Sequence, residues 1–122
     1  MQGNAAVVLV VEDEFLIRLD MLDMLEAAGF ATIEAANADE AIRILESRDD
    51  IRIVVTDIDM PGSMDGLMLA HAVREKWPPV KLVLVSGKRT LGRDELPEGA
   101  LYYAKPYNIH EVTDGIRRLM VS

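Results

Sequence analysis

The sequence predicts an α/β domain in which a parallel sheet carries helices on both faces. Two observations lead there. Aliphatic runs of strand length, Val7-Val8-Leu9-Val10-Val11 and Val80-Lys81-Leu82-Val83-Leu84-Val85 among them, are too continuous for strands with one wet face and read as strands buried on both sides. Between such runs the apolar spacing switches to the helical period, so strand and helix alternate five times with short connections, an order that implies right-handed crossovers. A third observation is chemical. The run Ile53-Val54-Val55-Thr56 ends in Asp57 and turns at Pro61-Gly62. Ligands of open α/β sheets gather at the carboxyl ends of strands, which puts Asp57 on the floor of a candidate site.

The first strand, residues 7–11, stops at Glu12-Asp13-Glu14, and a helix follows from Phe15 to Ala28. Ile17, Met21, Met24, Leu25 and Ala28 make its inward stripe. Phe15, Leu19 and Leu22 add a second apolar ridge, wider than burial against a sheet requires. It serves either packing against a neighbouring helix or docking of a partner. Gly29 supplies the left-handed residue that ends the helix. Ala31 to Ala35 is a weaker strand, expected near a sheet edge. Asn37 caps the next helix, with Glu40 three residues on in a capping-box arrangement, and Ala38, Ala41, Ile42 and Leu45 face inward.

The central strand covers about residues 52–56. Asp65 caps a third helix that buries Leu69, Ala70, Val73 and Trp77 and halts at Pro78-Pro79. The fourth strand ends at Ser86-Gly87. From Lys88 to Gly99 the pattern is poor, and Gly92, Pro97 and Gly99 leave room only for a short or irregular helix. Ala100 to Ala104 is the fifth strand, closed by Lys105-Pro106. Asn108 and Glu111 box the last helix, Tyr107 staples onto Val112, and Ile109, Val112, Ile116 and Leu119 form its buried stripe. One domain is expected over residues 1–122, without repeat or linker.

Bulk properties narrow the function classes. Half the residues are hydrophobic and 28% are charged, which suits a globular chain. With no cysteine, disulfides and thiolate metal sites are excluded. No apolar run reaches the length of a membrane span, and the Ala5–Val11 run is too short for a signal-peptide core, so a soluble, cytoplasmic protein is expected. A net charge of −8 argues against direct nucleic-acid binding and suits a cation site or a basic partner.

Every strand but the second ends in a residue with chemistry: Glu12 and Asp13, Asp57, Ser86, Lys105. Singly, each is an ordinary turn residue; the coincidence on one sheet edge is what carries weight. Three carboxylates brought together repel by roughly 1 kcal/mol per pair in water and about 4 kcal/mol at an effective dielectric near 20, for separations of about 4 Å. A hard divalent cation such as Mg²⁺ removes that cost. A carboxylate beside Mg²⁺, a hydroxyl donor and a lysine is what phosphoryl transfer onto an aspartate requires.

The motifs Val10-Val11-Glu12-Asp13-Glu14, Asp57-Ile58-Asp59-Met60-Pro61-Gly62, Met64-Asp65-Gly66, Val85-Ser86-Gly87 and Tyr102-Tyr103-Ala104-Lys105-Pro106-Tyr107 together resemble the response-regulator receiver domain of two-component signalling, nearly end to end, in its stand-alone, single-domain type. The resemblance implies a flavodoxin-like sheet of strand order 2-1-3-4-5. It implies that Asp57 accepts a phosphoryl group from a phosphohistidine of a sensor histidine kinase or histidine phosphotransfer protein. Glu12, Asp13, Asp57 and the backbone carbonyl of Asp59 would hold Mg²⁺. Ser86 and Lys105 match the switch hydroxyl and the phosphate-binding lysine, and Tyr102 matches the aromatic that turns inward when that hydroxyl moves. The Lys105-Pro106 bond is expected cis. Such a chain is a signalling switch, not a turnover enzyme; its output partner is unnamed and a homodimer stays open.

Departures from the family pattern are Ser63, which reads as an extra residue lengthening the loop beside the metal, and the curtailed fourth helix. Asp59 and Lys88 fall near the rim of the phosphoryl site, where they either tune the phosphoryl lifetime or are plain surface charges. His71 and His110 read as surface residues. Two rivals remain. Asp57-Ile58-Asp59 matches the Asp-x-Asp motif of haloacid-dehalogenase-like phosphatases, although there it follows the first strand. A pseudo-receiver, an interaction module without phosphate control, is the other.

Overall fold

The computed structural model describes residues 6–62, 64–87 and 91–121. Ser63 and Lys88 lie outside them. The elements run β1 (Val7–Val11), α1 (Phe15–Ala27), β2 (Ala31–Ala35), α2 (Ala38–Ser47), β3 (Ile51–Asp57), α3 (Gly66–Lys76), β4 (Lys81–Ser86), β5 (Leu101–Ala104) and α4 (Ile109–Met120). All five strands pair in parallel in the order β2-β1-β3-β4-β5, with β2 and β5 at the edges. The doubly wound sheet and its strand order are those the sequence implied.

Strand alternation divides the core in two. Leu9, Val11, Val54, Leu82 and Leu84 pack on one face against Ala41 and Leu45 of α2 and Leu69 and Val73 of α3. Val8, Val10, Ile53, Val55 and Val83 pack on the other against Met21, Leu22 and Leu25 of α1 and Val112 and Ile116 of α4. Both sides of β1, β3 and β4 are therefore dry, which is why those strands read as unbroken aliphatic runs.

Helix ends follow their caps. Asn37 accepts from the Glu40 N–H at 2.8 Å, Asp65 from Met68 at 2.9 Å and Asn108 from His110 at 2.8 Å. After α1, Gly29 at φ +97° lets its own N–H reach Glu26 O while Phe30 N–H reaches Leu25 O, closing the helix. The box on α2 differs from expectation in one arm. Glu40 accepts from the Ala36 N–H at 2.6 Å, because Asn37 is fully extended (φ −161°, ψ 173°) and presents the preceding amide.

The second ridge of α1 is split. Leu22 is buried in the cluster shared with α4, whereas Phe15 and Leu19 are exposed together with Leu16. Among the described residues between β4 and β5 there is one 3₁₀ turn, Arg93–Glu95, and no α-helix. This segment is fixed to α3: the His71 Nε2–H donates to Glu95 O at 2.8 Å, and Arg74 donates to Glu98 O at 2.6 Å. His71 is exposed, as expected, but has a structural task the sequence did not signal.

Candidate functional site: an acidic cleft at the strand ends

Parallel pairing sets the carboxyl ends of β1, β3, β4 and β5 side by side. Val11 pairs with Thr56, Asp57 with Val85, and Ser86 with Ala104, so the residues just beyond each strand converge. They line an open cleft of about 760 Å³ that includes Glu12, Asp13, Asp57, Asp59 and Lys105. Glu12 and Asp57 are buried at its floor, Asp13 is exposed at its mouth, and Ser86 is buried beside it.

Glu12, Asp13 and Asp57 each bring a carboxylate oxygen within 4.8 Å of the others. Within this cluster Lys105 Nζ donates to Asp57 Oδ2 at 3.1 Å and lies 3.6 Å from Glu12 Oε1. The other Asp57 oxygen, Oδ1, accepts the Asp59 N–H at 3.1 Å, and Glu12 Oε2 accepts the Glu14 N–H at 3.1 Å. Burial alone would lower the Lys105 ammonium; its hydrogen bond to Asp57 and the charges of Asp57 and Glu12 outweigh that and raise it. The lysine-to-proline bond that follows is cis, as expected.

Glu12 shows what the crowding does. Burial, with the Asp57 charge adding to it, pushes its carboxyl up to about 7, against the opposing pull of the Glu14 N–H and Lys105. A folded-state value above the ordinary 4.5 means that the protonated form is favoured by folding. Its stabilisation is complete below the ordinary value and is lost as pH rises through about 7. A divalent cation held by this cluster would need the deprotonated form, so Mg²⁺ added as a probe should bind about tenfold more weakly near pH 6 than near pH 8. Calorimetric titration at the two pH values checks this, and equal affinities would count against Glu12 as a ligand. The donor set is all oxygen and anionic, which fits a hard divalent ion.

Asp59 and Ser86 form a second pair at the rim, with the Ser86 hydroxyl donating to Asp59 Oδ2 at 2.6 Å. Tyr102 lies beside Leu84 in the β4–β5 register, partly buried against the core face that Leu91 and Leu96 also cover. His110 is exposed on α4, away from the set just described.

Two further residues shape the site through contacts the sequence did not state. Arg18, on the first turns of α1, donates to the Glu12 carbonyl and to Glu34 Oε1, each at 2.8 Å, and its guanidinium lies 5.6 Å from the Phe15 ring centre. It ties the acidic turn to α1 and to the end of β2. Gly66 opens α3 directly against the backbone of Asp57 and Ile58. Its neighbour Asp65 was legible as a cap, but the close approach behind Gly66 was not.

The Asp57-Ile58-Asp59 triplet follows β3, with the acidic pair after β1 already in the site, so the phosphatase reading has no footing in this topology. Comparison with known proteins agrees. The family model described as the response regulator receiver domain matches residues 8–117. The sensor kinase CckA of Brucella abortus is 32% identical over 97% of this chain, which spans 13% of that protein. The aerobic respiration control protein ArcA of Escherichia coli K12 is 34% identical over 93% of the chain, and the chain spans 48% of its length. A receiver protein structure from Sinorhizobium medicae superposes with a TM-score of 0.90 at 28% identity, covering 97% of this chain and 96% of that one. Among the described residues no helix is long and apolar enough to cross a membrane. Fold, cleft and family model converge, and the chain belongs to the response regulator receiver domain family of two-component systems.

Proposed function

We propose that this chain is a phosphoacceptor in a two-component phosphorelay, with Asp57 as the residue modified. The observation that carries the reading is the cluster itself: a buried aspartate held by a lysine at 3.1 Å, with two further carboxylates in reach of the same cation. A carboxylate oxygen of Asp57 attacks the phosphorus of a phosphohistidine, the P–O bond forms as the P–N bond breaks, and the bonding pair returns to the imidazole. Lys105 neutralises the transferred group as it arrives. Mg²⁺, held by Glu12, Asp13, Asp57 and the Asp59 carbonyl, would screen the phosphoryl oxygens and the crowded carboxylates.

Phosphorylation places a strongly charged acceptor at Asp57, drawing in the Ser86 hydroxyl and Lys105. The movement of Ser86 is passed to Tyr102, which repacks the face of β5 and the 91–100 segment beside it. That segment is the output surface, and in this structure it is anchored to α3 through His71 and Arg74. The donor is a sensor histidine kinase or a histidine phosphotransfer protein. The exposed Phe15, Leu16 and Leu19 on α1 (61%, 75% and 42% accessible), on the helix whose Ile17 lines the cleft, provide its docking ridge.

Acetyl phosphate with Mg²⁺, read by intact mass, tests the reading. One phosphoryl adduct per chain, lost on chelation, is expected. A folded chain that binds Mg²⁺ but takes up neither acetyl phosphate nor beryllofluoride would instead be a pseudo-receiver.

A further inference from the structure

The Asp59 side chain has no part in the function just proposed, which needs only its backbone carbonyl. Yet it holds the Ser86 hydroxyl at 2.6 Å. That distance is in the range of a charge-assisted O–H···O⁻ bond, among the stronger hydrogen bonds a serine can make. Ser86 is buried, and its hydroxyl carries one hydrogen, so it can donate to Asp59 or to a phosphoryl oxygen on Asp57, but not to both.

From this we infer that Asp59 is a positioning residue that holds Ser86 in the resting arrangement, so that occupancy of Asp57 must break the Asp59–Ser86 bond before the switch can move. The inference rests on the phosphoacceptor reading and adds a regulator to the same site. Asp59 is well placed for it. Its N–H donates to Asp57 Oδ1, so the loop that carries the carboxylate is anchored to the residue that is modified. In the resting site both polar groups that would meet a phosphoryl oxygen are engaged by carboxylates, Lys105 by Asp57 and Ser86 by Asp59. Asp59 opposes an incoming anion in two ways, by holding the donor and by its own charge. Only the first acts through Ser86.

A double-mutant cycle separates them. Beryllofluoride, which mimics the phosphoryl group on an aspartate, is titrated in saturating Mg²⁺ into wild type, Asp59→Ala, Ser86→Ala and the double variant, followed by ¹⁹F NMR, with folding checked by circular dichroism. Asp59→Ala is expected to tighten beryllofluoride about tenfold when Ser86 is present, the scale of one charged hydrogen bond. In the Ser86→Ala background the gain should shrink to about threefold or less, the share owed to charge alone. Asp59→Asn, which keeps a weaker acceptor, should fall between. Equal gains in both backgrounds, or no gain from Asp59→Ala, would overturn the positioning role while leaving the phosphoacceptor reading intact. No beryllofluoride binding even in wild type would overturn both.

Discussion

Lys105→Met is expected to destabilise the metal-free protein by about 2 kcal/mol, and Mg²⁺ should recover much of that loss. Lys105 Nζ is the cation between Asp57 (3.1 Å) and Glu12 (3.6 Å), both buried. Breaking a buried ion pair by removing one partner costs roughly 3–5 kcal/mol; the lysine side chain is 26% exposed, so water screens part of that and about 2 kcal/mol remains. Methionine keeps the apolar volume of the stem and removes only the charge. Without it the two carboxylates repel each other, and Glu12 moves still further above the ordinary carboxyl range. A bound divalent ion supplies the missing positive charge, so the rise in Tm on adding Mg²⁺ should be larger in the variant than in wild type. Thermal unfolding with and without Mg²⁺ measures both quantities. The same Mg²⁺ increment in both proteins would mean that Lys105 does not neutralise the cluster.

Among the described glycines, Gly66→Ala should be the most damaging added methyl group. A Cβ at this position would overlap the Asp57 carbonyl oxygen and come within 2.7 Å of the Asp57 carbonyl carbon and 2.8 Å of Ile58 Cα. These are backbone atoms of a buried strand end, and Gly66 N–H is itself bonded to Ile58 O at 3.0 Å, so neither side can yield cheaply. Overpacking of this kind costs about 3 kcal/mol, or on the order of 10 °C in Tm for a chain of this length. The backbone displaced is that of the proposed phosphoacceptor, so Mg²⁺ binding should weaken as well. Gly29→Ala is the control. It faces open space and suffers only from its φ of +97°, about 1 kcal/mol, far from the site. A Tm for Gly66→Ala within about 2 °C of wild type would show that α3 can draw back from Asp57.

What could be read in the sequence was whatever the chain states locally. Asp57 stood out because a β-branched run cannot bury a carboxylate without reason, and Asn37, Asp65 and Asn108 announced their helices by spacing alone. Glu12, Asp13, Ser86 and Lys105 were legible one strand end at a time, and alternation of strand and helix placed them on one edge. The contacts that escaped are those made between segments. Arg18 looks like any helical arginine until the β1–β2 pairing brings Glu34 and the Glu12 carbonyl to it. Phe15, Leu19 and Leu22 share one spacing, and only the position of α4 decides that Leu22 is covered and the other two are not. Gly115 is a further case: a Cβ there would strike the Tyr103 hydroxyl, a constraint set by how α4 crosses β5. The Asp59 carboxylate was recognised at the rim, but its bond to Ser86 depends on the β3–β4 register.

The most direct test of the account is to find which carboxylate carries the phosphoryl group. Treating the acetyl-phosphate-modified protein with borohydride reduces an acyl phosphate to an alcohol, and peptide sequencing by mass spectrometry then identifies the altered residue. Homoserine at position 57, in wild type and only after Mg²⁺-dependent modification, is the predicted result. Homoserine at position 13 or 59, or 2-amino-5-hydroxypentanoic acid at position 12, with Asp57 unchanged would contradict it.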